Sequence, residues 1–204
     1  MIPTPSKIVC VGKNYLDHAK EMGGDVPSDP LLFLKPPSAL IASGEPIVLP
    51  PQSTHVEHEA EIGIVIKERL RGVSEADAMR GIAGFVCLND VTARDWQKRE
   101  SQWARAKGFD TFCPVGDRAV ARPDWQDLEV FGRVNGQVRQ HGKVRDMLFT
   151  IPFLLAHISH VMTLEPGDLI ATGTPAGVGR LNPGDVVEVE IPGVGVLRNP
   201  VIAG

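Results

Sequence analysis

Between His55 and Glu61 the chain reads HVEHEAE and runs straight into IGIVI. Strand side chains alternate faces, so a strand here sets His55, Glu57, Glu59 and Glu61 on one side. Three carboxylates beside an apolar run repel one another and call for a cation or a set of donors. A second acidic group, Asp90 with Asp95 nearby, stands where another apolar run, GFVCLN, ends. Carboxylates from two strands can converge on one ion. Oxygen ligands favour Mg²⁺, Mn²⁺ or Ca²⁺ over zinc. The competing reading is a solvated strand face. His58 points away from Glu59 and Glu61 on a regular strand, and so does not suit the same ion.

In NYLDHAKEM, His18 and Glu21 lie three apart, on one face if the segment is helical. A carboxylate beside an imidazole orients it and raises its basicity, which makes a general base. The same pattern is common on surface helices. The stretch TGTPAGVG, Thr172 to Gly179, is rich in glycine. It lacks the G-K-[ST] ending of a phosphate loop and the strand–helix setting of a dinucleotide fingerprint. A nucleotide site is therefore rejected.

The elements that must carry these groups read as short strands and few helices. Strands are expected at 7–11, 31–34, 46–51, 56–66 and 84–89. Helices are expected over 14–22, closed by Gly23-Gly24, and from Ser74 through SEADAMRGIAG. The strand 84–89 runs on into DVTARDWQ. Asn135-Gly136 between 128–134 and 137–140 signals a two-residue hairpin. Thr150 to Val161 is the longest apolar helix, with Pro152 in its first turn. Leu164–Asp168 and Leu181–Asp185 are two matching turns, each with Pro-Gly at its centre and each leading into a strand.

The 204 residues suit one domain, 1–204, with 43% hydrophobic residues. A net charge of −4 without a dense basic run argues against nucleic acid or a membrane surface as partner. No signal-like or spanning stretch appears, so a cytoplasmic protein is expected. Cys10, Cys87 and Cys113 are odd in number and widely spaced. They read as buried thiols and not as a disulfide or zinc framework.

The segments VGKNYLDHAKEM, LFLKP, HEAEIG, LNDVTARDWQ, AKGFDTFCPVG, VNGQVRQ and LIATGTPAGVG, in that order, cover nearly the whole chain. Together they resemble the catalytic domain of the fumarylacetoacetate hydrolase family, particularly its small acylpyruvase-like and diketo-acid members. The resemblance implies a mixed α/β, β-rich roll or sandwich with a few packed helices. It implies metal ligands Glu59, Glu61 and Asp90, leaving Glu57 and Asp95 outside, and Mg²⁺ as the ion, with Mn²⁺ or Ca²⁺ as alternatives. It implies a mobile lid within residues 1–24 whose His18–Glu21 pair activates water, and Lys107 near a developing enolate oxygen. Gln97 and Thr174 become substrate contacts, the latter through its hydroxyl. Lys35 is expected to face the pocket, and Arg94 to touch substrate or serve as an ion-pair partner. Lys13 stands where many relatives carry Arg, which exchanges a planar fork for a point charge at the substrate's far end.

The expected substrate is a 2-oxo acid and the expected assembly a homodimer. The leading reaction is hydrolytic C–C cleavage of an acylpyruvate. The alternatives are an isomerase, tautomerase or decarboxylase acting on oxaloacetate or a hydroxymuconate-type diacid. A non-catalytic Ca²⁺-binding β module is the reading from another class. It has no use for His18, Glu21 or Lys107.

Overall fold

A computed structural model describes residues 4–21, 23 and 26–204. Two five-stranded sheets dominate it. The first runs, in spatial order, Leu31–Lys35, Ile8–Gly12, Leu169–Ala171, Ala60–Ile66 and Ile82–Asn89. The second runs Gln137–Lys143, Glu129–Val134, Val186–Ile191, Gly195–Ala203 and Ile47–Leu49. Ile62, Ile64, Phe85 and Cys87 of the first meet Val130, Val189, Ile191 and Leu197 of the second in one core. The helix Ile151–Val161 closes that core with Ile151, Leu155 and Ile158. The opposite face of the first sheet is buried too, through Ile8, Cys10, Val65, Val86 and Leu88. Burial on both faces explains why IGIVI is continuously apolar. The β-rich sandwich with few helices is the expected fold.

The hairpin at Asn135-Gly136 forms with positive φ at both residues (53° and 77°), as a type I′ turn requires. Both Pro-Gly turns form as well. Gly167 and Gly184 have φ of 91° and 94°. Asp168 and Asp185 each accept the amide three residues back, from Glu165 and Asn182. The helix read from Ser74 is shorter than expected. It spans Glu75–Ala78, continues as a tight turn over Met79–Gly81, and gives way to strand at Ile82. Gly81 packs so closely on Leu70 that a Cβ there would lie 2.5 Å from Leu70 Cδ2. The first helix is Leu16–Glu21. Gly23 follows at φ 68°, as a helix stop should, while Met22 and Gly24 lie outside the described residues.

Two differences shape the site. The expected strand 56–66 is broken at Glu59. Val56–His58 joins Thr92–Ala93 and Gly179–Arg180 in a small separate sheet, and Ala60–Ile66 enters the first sheet. The Glu59 amide donates to Asn89 Oδ1 (2.9 Å) and its carbonyl accepts from the Asp90 amide (2.9 Å), so both leave the regular ladder. Two short helices, Arg94–Arg99 and Ala104–Lys107, follow this break. They carry Arg94, Gln97 and Lys107.

Candidate active site

Register brings the carboxylates together. Ala60 pairs with Asn89 across antiparallel strands, so Glu59 falls beside Asp90 one step further on. Glu61 follows on the same face as Glu59. One oxygen from each of Glu59, Glu61 and Asp90 lies within 4.8 Å of the others, and all three residues are buried.

The cluster is surrounded by cations. Lys107 Nζ donates to Glu59 Oε2 (2.8 Å) and Asp90 Oδ2 (2.6 Å). Lys35 Nζ donates to Asp90 Oδ1 (2.6 Å) and the Val91 carbonyl (3.0 Å). Arg94 Nε donates to Glu57 Oε2 (2.6 Å) and its Nη1 to Gln97 Oε1 (2.8 Å). Arg94 Nη2 sits 2.6 Å from Glu59 Oε1, an ion-pair distance, but is too poorly aligned for a hydrogen bond.

These neighbours split the carboxylates electrostatically. Burial pushes Glu59 up, but Lys107 and Arg94 outweigh it and hold Glu59 well below the usual carboxylate range. Glu61 goes the other way. Burial, then the charges of Asp90 and Glu59, raise it well above its ordinary value, and the Gly173 amide (2.8 Å) only partly offsets them. Burial depresses Lys107, yet Asp90 and Glu59 more than reverse this and keep its ammonium charged. A buried all-oxygen set with one carboxylate disfavoured by its own neighbours suits a hard divalent cation, which would relieve that repulsion. Glu59, Glu61 and Asp90 would hold it.

A cavity of about 200 Å³ opens on the cluster. Glu59, Glu61, Lys107, Arg94 and Thr174 line its buried part. Phe33 and Trp103, in edge contact at 5.3 Å, give it an aromatic wall. Lys13, Gln97 and Lys98 line it from less buried positions. Among the described residues neither Lys13 nor Lys98 has an ion-pair partner. Lys13 adopts φ 57°, unusual for a residue with a Cβ. Arginine has no acceptor, so Gln97 must turn its oxygen to Arg94 and keep its NH₂ for something else.

His18 is buried on the cavity wall, with Nδ1 3.1 Å from Glu21 Oε2. Glu21 also accepts from the Gly177 amide (3.1 and 3.3 Å), which ties the helix to the Thr172–Gly179 loop. Gly177 has φ 98°, and a Cβ there would lie 2.0 Å from the Arg139 carbonyl, so that loop geometry requires glycine.

Lys35 and Thr174 depart from expectation, Arg94 takes the ion-pair alternative, and Glu57 and Asp95 lie outside the cluster as expected. Lys35 does not line the cavity: it is fully buried against Asp90 and orients that carboxylate. Arg94 is spent on Glu57, Glu59 and Gln97, which makes it an ion-pair clamp. The Thr174 hydroxyl donates to the Ala60 carbonyl (2.9 Å) and accepts from Gln140 Nε2 (2.7 Å), so its proton already has a partner. Glu57 turns to Arg94 and to His55 (2.8 Å). Asp95 holds the chain around Ser53, Thr54 and Trp96, away from the cluster. Sequence reasoning did not single out Asn14 or Gln140. Asn14 joins the Thr172 and Phe149 carbonyls and the Phe149 amide around the loop. The cysteines are buried, and burial first of all pushes Cys87 and Cys113 up to about 12 and Cys10 well upward, which suits inert thiols. Among the described residues no helix is long and apolar enough to cross a membrane.

Residues 7–202 match the family model for the fumarylacetoacetate hydrolase C-terminal domain. The chain is 42% identical to the human mitochondrial oxaloacetate tautomerase FAHD2A, over 98% of this chain and 68% of the relative. It is similar to the crystal structure of 5-carboxymethyl-2-hydroxymuconate delta-isomerase from Mycobacterium smegmatis, with TM-score 0.92 and 48% identity, covering 98% of this chain and 80% of that one. The 2-hydroxyhepta-2,4-diene-1,7-dioate isomerase from Mycobacterium marinum gives TM-score 0.91 and 48% identity, covering 98% and 75%. With its sandwich, its carboxylate cluster and these relatives in agreement, the chain is an enzyme of the fumarylacetoacetate hydrolase family.

Proposed function

We propose that this enzyme isomerises or tautomerises a 2-oxo or enol diacid with the help of a divalent cation, Mg²⁺ being the first candidate. The observation that carries the reading is the cavity's charge layout. A buried triad of carboxylates lies at its base, and Lys13 and Lys98, whose ammonium groups have no ion-pair partner among the described residues, line the same cavity. The base suits the cation and the 2-oxo acid end. The two lysines suit a second carboxylate. The named relatives are isomerases and tautomerases of such acids, so hydrolytic cleavage of an acylpyruvate takes second place.

When bound, the cation would supply Lewis acidity that favours enolate character in the substrate. The residues do the rest. His18 offers Nε2 to the cavity, since Nδ1 is engaged by Glu21. Nε2 takes the proton from the carbon beside the 2-oxo group and returns it to another atom of the same substrate. Glu21 accepts from Nδ1–H and stabilises the imidazolium in between. Lys107 holds positive charge beside the developing oxyanion, and the free NH₂ of Gln97 donates to a substrate oxygen. Phe33 and Trp103 exclude water along the carbon chain.

A spectrophotometric panel tests this. Oxaloacetate enol, a hydroxymuconate-type diacid and acetylpyruvate are followed with Mg²⁺ and with chelator, and products are identified. Mg²⁺-dependent interconversion of a diacid without cleavage is expected. Cleavage of acetylpyruvate as the fastest reaction would overturn the reading in favour of hydrolysis.

A further inference from the structure

Gln140 belongs to the second sheet, yet its side chain reaches the active site of the first. It is the last residue of VNGQVRQ, in a strand whose buried positions are Gln140 and Gly142 alone. The hairpin register shifts between Gly132 and Arg133, so that Gly132 pairs with Gln140 and Arg133 with Val138. The resulting bulge turns Gln140 inward, where it is 1% exposed. Gly132 makes room for it: a Cβ there would lie 2.9 Å from both Gln140 Oε1 and Ala60 Cβ.

The amide uses its whole hydrogen-bonding capacity. Oε1 accepts from the Ala60 amide (2.9 Å) and from His58 Nδ1 (2.9 Å). Nε2 donates to Thr174 Oγ1 (2.7 Å) and the Pro175 carbonyl (2.7 Å). Its orientation follows from backbone chemistry alone. The Ala60 amide can only donate and the Pro175 carbonyl can only accept, so oxygen and nitrogen cannot be exchanged. Ala60 lies between Glu59 and Glu61, at the break that separates the two strands. Thr174 and Pro175 lie in the loop whose Gly173 amide holds Glu61.

We propose that Gln140 is a positioning residue of the active site: its amide locks the Glu59–Glu61 backbone break to the Thr172–Gly179 loop, and so sets the spacing of the metal carboxylates against the loop. Gln140 touches neither the metal nor the substrate; it acts through Ala60, His58 and Thr174. Residues one shell out from a metal site change its affinity by about 10–100-fold when removed. This proposal rests on the metal role given to Glu59 and Glu61 above.

The test is Mg²⁺ and Mn²⁺ affinity by calorimetry on the purified chain, with thermal melting alongside. Gln140→Met is compared with Leu155→Ala, a core change that removes no hydrogen-bonding group. Gln140→Met is expected to weaken metal binding about tenfold or more, while Leu155→Ala lowers the melting temperature and leaves metal affinity within twofold. Gly132→Ala, which crowds the amide without removing it, is expected to weaken binding in the same direction by less, and keeps the test open should Gln140→Met not fold. Unchanged metal affinity in the folded Gln140 or Gly132 variant, or an equal loss in Leu155→Ala, overturns the proposal. If the unmodified chain binds neither ion, the metal reading itself falls, and the positioning role with it.

Discussion

The two ends of the cavity are built on different terms. At the buried end nearly every charged atom has a partner at 2.6–2.8 Å: Asp90 has two lysines, Glu59 has Lys107 and Arg94, and Arg94 is shared with Glu57 and Gln97. At the less buried end Lys13 and Lys98 have none among the described residues, and the wall that carries the buried His18 is a six-residue helix held through Glu21. A fixed end suits the part of a substrate common to many reactions. A loosely held end suits the part that differs.

The buried end breaks first in Glu61→Gln. Loss of one carboxylate from the triad is expected to lower turnover about 10³-fold, the range for removing a preorganised charge at a reacting centre. Stability should move the other way. Glu61 is raised above its ordinary value by burial and by Asp90 and Glu59, so the folded state holds its proton more tightly than the unfolded chain does. Without metal, its ionisation therefore costs stability as pH rises above the unfolded carboxylate value, and the cost disappears as pH falls below it. Glu61→Gln should raise the melting temperature of the metal-free protein at pH 7. A lower melting temperature in chelator would contradict the charge argument. In the unmodified protein, Mg²⁺ at about 100 times its Kd should stabilise by about 2.7 kcal/mol. At a fixed Mg²⁺ concentration that gain should grow as pH rises above the ordinary carboxylate range, because the ion must displace the proton that burial, Asp90 and Glu59 hold on Glu61. A gain independent of pH would remove Glu61 from the site.

At the other end, His18→Gln is expected to lower turnover about 100-fold with metal affinity within twofold of the unmodified chain. Glu21→Gln should cost less, since the imidazole stays and loses only its orienting charge. If His18→Gln abolished metal binding, the two ends would not be separate.

Legibility in the sequence divides along the same line. Alternation in HVEHEAE marked the carboxylate face because side-chain period is a local property of a strand. It could not separate Glu57 from Glu59 and Glu61, since that choice depends on Arg94, which reaches Glu57 from a helix that no periodicity announces. From the resemblance, Lys35 is expected to face the pocket, alongside Lys107. Only the packing of Leu31–Lys35 against Ile8–Gly12 shows that it ends beneath Asp90. Gln140 was hidden for another reason: a one-residue bulge reverses which side of the hairpin faces inward, and no residue pattern in VNGQVRQ records it. Turns, by contrast, were readable at Asn135-Gly136 and at both Pro-Gly pairs, where a positive φ selects the residue type directly.

The smallest expected effect is also the one that sharpens the comparison most. Lys13→Met and Lys98→Met each remove an ammonium from the exposed end and keep the apolar stem. An ion pair exposed to solvent contributes up to about 1 kcal/mol, so each should raise KM for a diacid by about fivefold or less and leave kcat near its original value. The monoacid with a methyl group in place of the far carboxylate should show no change. Added salt should shrink the difference between the two substrates, because exposed charges are screened within about 10 Å at 0.1 M. Lys13→Arg separates the two lysines further. If the far carboxylate docks against residue 13, a guanidinium offers it two parallel hydrogen bonds and KM should fall. If KM rises instead, the left-handed backbone at Lys13 aims the longer side chain past the carboxylate, and Lys98 carries the contact. An equal effect of both methionine variants on diacid and monoacid would show that the exposed end does not read charge, and selection would then rest on the Phe33–Trp103 wall.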